Sequence, residues 1–332
     1  MHTDATAAQW PWTGFSEAPE PFDEAVARTA GIDRFCSSSF WGIAALGAFS
    51  PENRPFVLQL PGGFAALAEG LTTEGERIWC PLESMWLLGT PIVGEPRATA
   101  AGFAAHALAH EDAWDAIWLS GMRRDTGVFG PLTKELRAKR LFIGPTAQRH
   151  EADLAEGFDA WFARRSAGFR KKSRQGLRRA YREGLTVEAF GPHNCHSYEA
   201  GRELFERVHA IETRSWKGLA GSGFATAGMK QFYTAMLPRL AAKGALRALV
   251  GRVNGQDACF LFGGVFAGTF RGLQMSFDDV HRELELGNAM QIIMLQSLAE
   301  EGVEIYDLGS DMPYKARWSD QISETFTLVV RR

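Results

Sequence analysis

The segment of residues 244–315 constrains the fold most, because strand-like runs alternate there with two turn signals. The runs 245–253 and 256–266 meet at Asn254-Gly255, a dipeptide that tolerates the positive φ values of a tight type I′ hairpin turn. A second turn at Ala267-Gly268 returns the chain into a third strand-like run that ends near Phe277. The spacing therefore predicts a three-stranded antiparallel meander.

A helix and a fourth, short strand are predicted after the meander. Apolar residues recur at helical spacing before a stop at Gly302, namely Met290, Ile293, Met294 and Leu298. The helix is expected to open at about Gly287-Asn288. A glycine at a helix start lets a phosphate approach the backbone, and the unpaired N–H groups and the helix dipole favour an anion there. Gly287 therefore indicates a pyrophosphate site, with an ordinary strand-to-helix turn as the alternative.

A cationic segment precedes the meander. Residues 164–182 contain nine Lys or Arg residues and no acid. Phe169, Ser173, Leu177 and Tyr181 are spaced four residues apart, which predicts a helix with one partly apolar stripe, ended by Gly184. Such a helix could hold phosphates, a tRNA, the acidic surface of an acyl carrier protein or an anionic membrane. A solvated face is the alternative for any single cation.

A helix predicted over residues 197–215 carries candidate catalytic groups on one face. Phe205, His209, Glu212 and Trp216 share that face. An amine that attacks an acyl group must lose a proton, so a carboxylate or imidazole beside it is chemically useful. Glu212 is the first candidate base and His209 the second, with a structural role as the alternative for His209. Trp216 and Lys217 at the helix exit would wall an acceptor pocket, or serve as packing and a helix cap.

Four motifs together resemble a known family. They are FRKKSRQGLRRAYREG at 169–184, HAIETRSWKG at 209–218, the Phe-Asp of MSFDDVHRELELG at 275–287, and YDLGSDMPYKARW at 306–318. In these motifs the chain resembles the GNAT acyltransferase superfamily, within it the CelD/BioF2-like branch, and more distantly the FemABX aminoacyl transferases. It departs from that branch at Glu285-Leu286-Gly287, where members more often have a Ser-Pro-Gly-like sequence.

The resemblance implies an α/β (α+β) fold of two tandem GNAT-like domains. Each would contain a mixed, mainly antiparallel sheet flanked by helices. Residues 1–150 would form a degenerate N-terminal copy, and residues 151–332 the catalytic domain. The strand-like runs of the N-terminal half agree with an α/β domain there, but no internal sequence repeat is visible.

The resemblance also implies roles for individual residues. Tyr314 would protonate the departing thiolate and Lys315 would meet phosphate or the developing oxyanion, with a surface lid as the alternative for Lys315. His281 follows the meander close to the expected pyrophosphate site and is a further candidate base, with an ordinary loop residue as the alternative. The implied donor-binding residues are Gln274, Ser276, Phe277, Leu286, Gly287, Asn288 and Ala289. The implied substrate-binding residues are Lys171, Lys172, Arg174, Arg178, Trp216, Lys217 and Asp307.

The expected activity is direct N-acyl transfer. The sequence has no GxSxG elbow, HxxxD signature or Walker loop, and no plausible Ser-His-Asp order, so a covalent enzyme intermediate is not favoured. The donor would be acyl-CoA or an acyl carrier protein, and the acceptor an amino acid, an amino sugar or a sphingoid-type amine. Two alternatives stay open: a FemABX-like aminoacyl transferase that uses charged tRNA, and a non-catalytic scaffold of a polysaccharide or lipid synthesis system.

Composition agrees with a globular enzyme that binds neither a metal nor a tight cofactor. The four cysteines are far apart and form no CxxC pair. The first residues lack the features of a signal peptide, and no apolar run approaches the roughly 18 residues that span a bilayer. A cytoplasmic protein is expected, with peripheral contact at the inner membrane face as one use of the cationic segment.

Overall fold

The computed structural model describes residues 7–332, which divide into two compact units. The first unit contains the chain up to residue 147 together with residues 324–332, and the second contains residues 148–323. No helix of the described chain is both long enough and apolar enough to cross a membrane.

Within residues 7–139, the first unit contains six α-helices, a short 3₁₀ helix at Glu111–Ala113 and most of its strands. Its helices are α1 (Trp12–Glu17), α2 (Glu20–Arg28), α3 (Arg34–Ser37), α4 (Ser39–Phe49), α5 (Pro96–Ala109) and α6 (Phe129–Glu135). Its strands up to that point are β1 (Ala8–Trp10), β2 (Arg54–Leu60), β3 (Gly63–Leu71), β4 (Arg77–Pro81), β5 (Ile92–Gly94) and β6 (Ala116–Met122). The strand β7 (Arg140–Asp153) begins in this unit and ends in the second.

The sheet of the first unit is mixed and mostly antiparallel. Its strand order is β1-β2-β3-β4-β6, with β5 also paired to β3, and β4 runs parallel to β6. The strand β13 (Gln321–Arg331) pairs with β6 through Leu328 and Leu119, so the end of the chain completes this sheet. The core between the sheet and α5 is apolar and includes Phe103, Trp114 and Ile117.

The second unit contains the remaining helices and strands. Its helices are α7 (Gly157–Ala163), α8 (Ala167–Arg182), α9 (Tyr198–Arg214), α10 (Trp216–Leu219), α11 (Met229–Ala242) and α12 (Leu286–Glu300). Its further strands are β8 (Leu185–Phe190), β9 (Leu246–Val253), β10 (Gln256–Phe266), β11 (Thr269–Phe277) and β12 (Ile305–Ser310). Short 3₁₀ helices cover Gly223–Ala225, Asp279–Leu284 and Lys315–Arg317.

The predicted meander is confirmed. Strands β9, β10 and β11 pair antiparallel in sequence order, and β8 extends the sheet beyond β9. Both turns have consecutive residues with positive φ: 52° and 79° at Asn254-Gly255, and 48° and 80° at Ala267-Gly268. These values match the primed hairpin turn that the first dipeptide predicts.

The strands β11 and β12 begin side by side and then separate. They run parallel and pair at three positions, the last of which joins Arg271 to Asp307. Beyond Asp307, β12 continues its antiparallel pairing with the end of β7. On the other edge of β11, Gln274 pairs with Phe262 but Gly272 pairs with Gly263, so Leu273 is the extra residue of a β-bulge. The separation and the bulge therefore occur within a few residues of each other on β11.

Helices cover both faces of the sheet in the second unit. The helices α7, α8 and α12 share a core with Cys259 and Leu261 of β10. The intervening residues of β10, Phe260 and Phe262, contact Phe224 on the opposite face, where α9 and α11 lie. Successive side chains of β10 therefore point alternately toward the two layers of helices, as expected for a strand.

The cationic segment forms a helix, α8, followed by Gly184 at a φ of 89°. Phe169 and Leu177 pack against the core as predicted, but Tyr181 is 50% exposed and the neighbouring Ala180 is buried instead. The predicted stripe is therefore wrong at its last member. Steps of four residues rotate by about 40° each on a helix with 3.6 residues per turn, so the stripe turns away from the core.

Candidate active site

Glu212 and His209 line a cavity of about 410 Å³ in the second unit. Ser197 caps α9 and places both residues on the face of the helix predicted from the sequence. The ring of His209 stacks against Phe224, with the ring centroids 6.1 Å apart. Burial, with a further contribution from Lys230, lowers the pKa of His209. The cavity therefore contains a neutral imidazole and a carboxylate, the two groups expected beside an amine acceptor.

Glu212 is buried and is held by neutral groups from two sides. Ser215 Oγ lies 3.3 Å from Glu212 Oε2, and Gln274 Nε2 lies 3.5 Å from Glu212 Oε1. Gly223 packs so closely that a Cβ atom there would lie 2.1 Å from the same Oε1 atom, so a side chain at this position would displace the carboxylate. The predicted donor-binding residue Gln274 thus contacts the predicted base.

Lys217 connects this carboxylate to the strand β11. Its Nζ donates to Gln274 Oε1 at 2.9 Å and to the carbonyl oxygen of Met275 at 2.7 Å. Burial lowers the pKa of Lys217, and the nearby carboxylate of Glu212 opposes that shift.

A second cavity, of about 240 Å³, lies where β11 meets the start of α12. Four predicted site residues line it: Phe277, Gly287, Asn288 and Tyr314. A Cβ atom at Gly287 would lie 3.4 Å from Met275 Cε, an ordinary van der Waals distance. The structure therefore brings the predicted donor-binding and leaving-group residues together around one cavity.

A third cavity, of about 260 Å³, lies between α8 and α12. Lys172, Ser173, Asn288 and Ala289 are among the residues that line it. Asn288 borders both this cavity and the previous one, which therefore meet at the first turn of α12. This is the position at which the sequence analysis places a phosphate.

An acidic residue stands at that helix start. The helix α12 begins at Leu286, one residue before the predicted start, and Glu285 precedes it with a left-handed φ of 51°. Glu285 Oε1 lies 3.0 Å from Lys172 Nζ, and its Oε2 lies 3.8 Å from Arg179 Nη2. A carboxylate is favourable at a helix N-terminus for the same reason that a phosphate is. Glu285 thus engages cations that an incoming phosphate would use.

Asp307 lies in a buried ion cluster at the last paired position of β11 and β12. Its Oδ2 accepts from Arg271 Nη1 at 2.5 Å and from Arg149 Nη1 at 2.8 Å, and its Oδ1 accepts from the backbone N–H of Gly309 at 2.7 Å. Burial opposes ionisation, but the two guanidinium groups lower the pKa of Asp307 below its ordinary value. This cluster fixes the point at which the two strands separate.

Lys315 is buried beside this ion cluster, in the segment after β12. Its Nζ donates to the carbonyl oxygen of Ser310 at 2.7 Å. Burial, together with the positive charge of Arg271, lowers its pKa to about 8. Tyr314 precedes it and is 43% exposed, and partial burial raises the pKa of its phenol. At neutral pH the phenol of Tyr314 therefore keeps its proton, whereas the ammonium of Lys315 loses its proton more readily than an ordinary lysine.

His150 ties this segment to β7. Its Nε2 lies 2.6 Å from Asp311 Oδ1, and its Nδ1 lies 2.9 Å from Ser319 Oγ. The structure thus assembles a Ser, a His and an Asp that the sequence analysis does not connect. His150 is buried, and its two ring nitrogens hold residues on either side of Tyr314-Lys315. We therefore assign this chain of hydrogen bonds to positioning of the segment.

The other predicted residues lie nearer the edges of the site. Leu286 is buried in the core, and Ser276 is buried with no hydrogen-bond partner for its hydroxyl within residues 7–332. His281 is half-buried in the 3₁₀ helix after β11, and Trp216 is 51% exposed. The predicted substrate-binding cations Lys171, Arg174 and Arg178 are exposed on α8.

Comparisons with known proteins agree on the fold. Residues 167–316 match the family of acetyltransferase (GNAT) domains. FemX is similar in structure over 93% of this chain and 95% of its own, with 12% identity and a TM-score of 0.61. L-PGS from Bacillus licheniformis is similar over 95% of this chain and 91% of its own, with 13% identity and a TM-score of 0.58. At these identities the likeness concerns the fold alone. No curated protein sequence matches the chain.

The mostly antiparallel sheets flanked by helices are those of an acyltransferase fold of the GNAT type. The match of residues 167–316 identifies a GNAT acetyltransferase domain within the second unit, and the fold of the chain is similar to that of FemX. It is therefore an acyltransferase of the GNAT type.

Proposed function

We propose that the protein transfers an acyl group directly from a thioester donor, acyl-CoA or an acyl carrier protein, to an amine acceptor. The second unit carries out the chemistry in this proposal, and the first is a degenerate copy of the same fold. The domains proposed from the sequence are 1–150 and 151–332, except that residues 324–332 belong to the first unit. Both donors are cytoplasmic molecules, so a cytoplasmic location is part of the proposal.

The observation that carries this proposal is the placement of two cavities about β11. Gln274 contacts the catalytic base candidate Glu212 in the acceptor cavity, whereas its neighbours Met275 and Phe277 line the cavity at the start of α12. A donor thioester bound where β11 and β12 separate would therefore lie between the base and Tyr314. Such positioning supplies much of the rate of a direct transfer.

The chemistry balances with the groups present. The amine nitrogen attacks the thioester carbonyl, so a C–N bond forms and the C–S bond breaks. Glu212 accepts the proton that the amine loses, and Tyr314 donates a proton to the departing thiolate. The bulge at Leu273 presents backbone N–H groups of β11 for the oxyanion, which is the usual means of stabilising such an intermediate. Lys315 adds positive charge near the same place.

The charges around α8 and α12 support a phosphate-bearing donor. Lys172 and Arg317 both line the cavity between these helices. Coenzyme A and the phosphopantetheine arm of a carrier protein both present phosphate next to a long, flexible thiol arm. The first turn of α12 would receive the phosphate while the arm passes between β11 and β12.

A thermal-shift and product assay tests this proposal. The protein is incubated with acyl-CoAs of increasing chain length and with an acylated carrier protein, and its melting temperature is recorded because a ligand that binds only the folded state must raise it. A panel of amines is then added, and amide and free thiol are measured by mass spectrometry. Stabilisation by a donor and equal release of amide and thiol support the proposal. No stabilisation and no product with any donor contradict it.

A second function is favoured by the exposed cations of α8: aminoacyl transfer from a charged tRNA, of the FemABX kind. Lys171, Arg174 and Arg178 lie on the outside of the helix, where a phosphate backbone could reach them. A gel shift with aminoacyl-tRNA that weakens steeply with salt, together with transfer of the aminoacyl group to an amine, would favour this function over the first.

A further inference from the structure

Three large apolar side chains are exposed close together in the second unit. Trp216 is 51% exposed, Leu219 is 70% exposed and Val280 is 81% exposed. Trp216 and Leu219 belong to α10, and Val280 belongs to the 3₁₀ helix Asp279–Leu284. Exposed apolar groups that occur singly need no explanation, but a group of this kind beside a cavity indicates an interaction site. We refer to these three residues as the apolar lip.

Short contacts join the two segments that form the lip. Ser215, the residue before α10, forms an antiparallel bridge with Asp278, the residue before the 3₁₀ helix. Arg214 Nε also lies 2.6 Å from Asp278 Oδ2. These bonds hold Trp216 and Val280 on neighbouring, fixed backbone segments. The two segments that carry the lip are therefore held together by the fold itself.

The two segments of the lip each contribute a lining residue to one of the two reaction cavities. Gly218 of α10 lines the acceptor cavity with Glu212, and Arg282 of the 3₁₀ helix lines the cavity that contains Tyr314. A molecule that contacts the lip would therefore touch segments that border both cavities. Substrates with an apolar part could pass from that molecule into either cavity.

A stripe of cations lies on a neighbouring helix of the second unit. Lys171, Arg174, Arg178 and Arg182 are exposed and recur along the outer face of α8. The helix α8 also contacts the 3₁₀ helix that carries Val280. Residues 164–182 contain no acid, and although Arg182 lies 3.5 Å from Glu183 Oε1 just beyond the helix, the stripe as a whole is positively charged and attracts anions.

We propose that the apolar lip and the cationic stripe together dock the enzyme on an anionic bilayer, and that the amine acceptor is drawn from this membrane. A bilayer surface combines phosphate charge with an apolar layer directly below it, and Trp and Leu side chains beside Lys and Arg match that combination. The source of the amine acceptor rests on the proposed function, whereas the docking on the membrane is independent of it. A long-chain or lipid-linked amine is the substrate class that follows.

Vesicle co-sedimentation tests the docking without any turnover. The full chain is mixed with vesicles of phosphatidylcholine alone, or with phosphatidylglycerol added as a minor component. The result expected is pelleting with the anionic vesicles, weakened by salt, and little with the neutral ones. Leu219→Ser combined with Val280→Ser should weaken that binding by about tenfold, because both side chains leave water on docking.

Leu71→Ser is the matched control, since Leu71 is 68% exposed on β3 of the first unit. It should bind vesicles as the wild type does. Equal binding to neutral and anionic vesicles, wild-type binding by the double variant, or binding to tRNA but to no vesicle would each overturn the docking proposal. The double variant should keep its rate with a water-soluble amine. Loss of vesicle binding with normal turnover therefore separates failure of the docking from failure of the proposed acyl transfer.

Discussion

Gln274 on β11 donates its side-chain amide N–H to the buried carboxylate of Glu212 on α9, with Nε2 and Oε1 3.5 Å apart. The amide oxygen of Gln274 accepts from Lys217 at 2.9 Å, which fixes the orientation of the amide. Glu212 is therefore held by neutral donors. The ammonium group of Lys217 is close by, but the side chain of Gln274 lies between it and the carboxylate. A carboxylate in such a place is positioned while it remains free to accept a proton.

Glu285→Gln should strengthen donor binding. The carboxylate of Glu285 pairs with Lys172 and Arg179 at the first turn of α12, where the proposal places the donor phosphate. Neutralising it releases both cations for that phosphate, so KM for the donor is expected to fall several-fold with little change in kcat. Steady-state kinetics at low ionic strength measure this. Glu183→Gln, at an exposed position just after α8, is the control, and a higher KM in Glu285→Gln would contradict the phosphate site.

Lys315 should set the alkaline limit of activity. Its pKa in the folded protein is lowered to about 8 from 10.5, so the ammonium is lost as the pH rises through 8. If its charge stabilises the oxyanion, the rate should fall above that pH. Lys315→Arg keeps the charge and should remove the fall, since a guanidinium stays protonated, and Lys315→Met should be slow at every pH. A pH–rate profile of Lys315→Arg with an unchanged alkaline fall would exclude this role.

Asp307→Asn should destabilise the fold. It leaves Arg149 and Arg271 buried without their shared carboxylate, at a cost on the order of 3–5 kcal/mol. Because the folded pKa of Asp307 is lowered, its contribution to stability is complete above about pH 4 and is lost as the pH falls through the folded value. The difference between wild type and variant should therefore shrink in acid. Urea unfolding across this pH range measures it.

The matched control for that experiment is Asp159→Asn, at an exposed position on α7. It should unfold as the wild type does. A wild-type free energy of unfolding in Asp307→Asn, or a difference from wild type that persists in acid, would show that the two arginines do not depend on this carboxylate.

The hairpin turns and the start of α9 could be predicted from the sequence, because each depends on residues that are adjacent in the chain. Asn254, Gly255 and Gly268 tolerate positive φ values at little cost, so the two turns of the meander follow from the sequence, although Ala267 also takes a positive φ of 48° that alanine does not favour. Ser197 begins α9 and its side chain accepts from the N–H of Ala200, which sets the face that Glu212 occupies. The pairing of β13 with β6 has no such local signal, because it depends on burial of both strands in one core.

The charged parts of the site were harder to predict, because their partners are distant in sequence. Arg149 and Asp307 are 158 residues apart, and His150 and Asp311 are 161 apart. The residues Arg149, His150 and Arg271 lie inside strands, and a charge within a strand-like run is the one sequence signal that could have marked them. The contact of Gln274 with Glu212 was missed for the same reason, although both residues were named.

The central claim, that Glu212 accepts the proton of the acceptor amine, is tested most directly by the single-turnover rate of Glu212→Gln. The substitution keeps the volume and much of the hydrogen bonding and removes the base. Glu206→Gln, at an exposed position on the same helix, is the matched control. In Glu212→Gln alone, the rate is expected to fall by about 10²–10⁴-fold, with the melting temperature and donor affinity of the wild type. A stable Glu212→Gln protein that transfers the acyl group at the wild-type rate would contradict it.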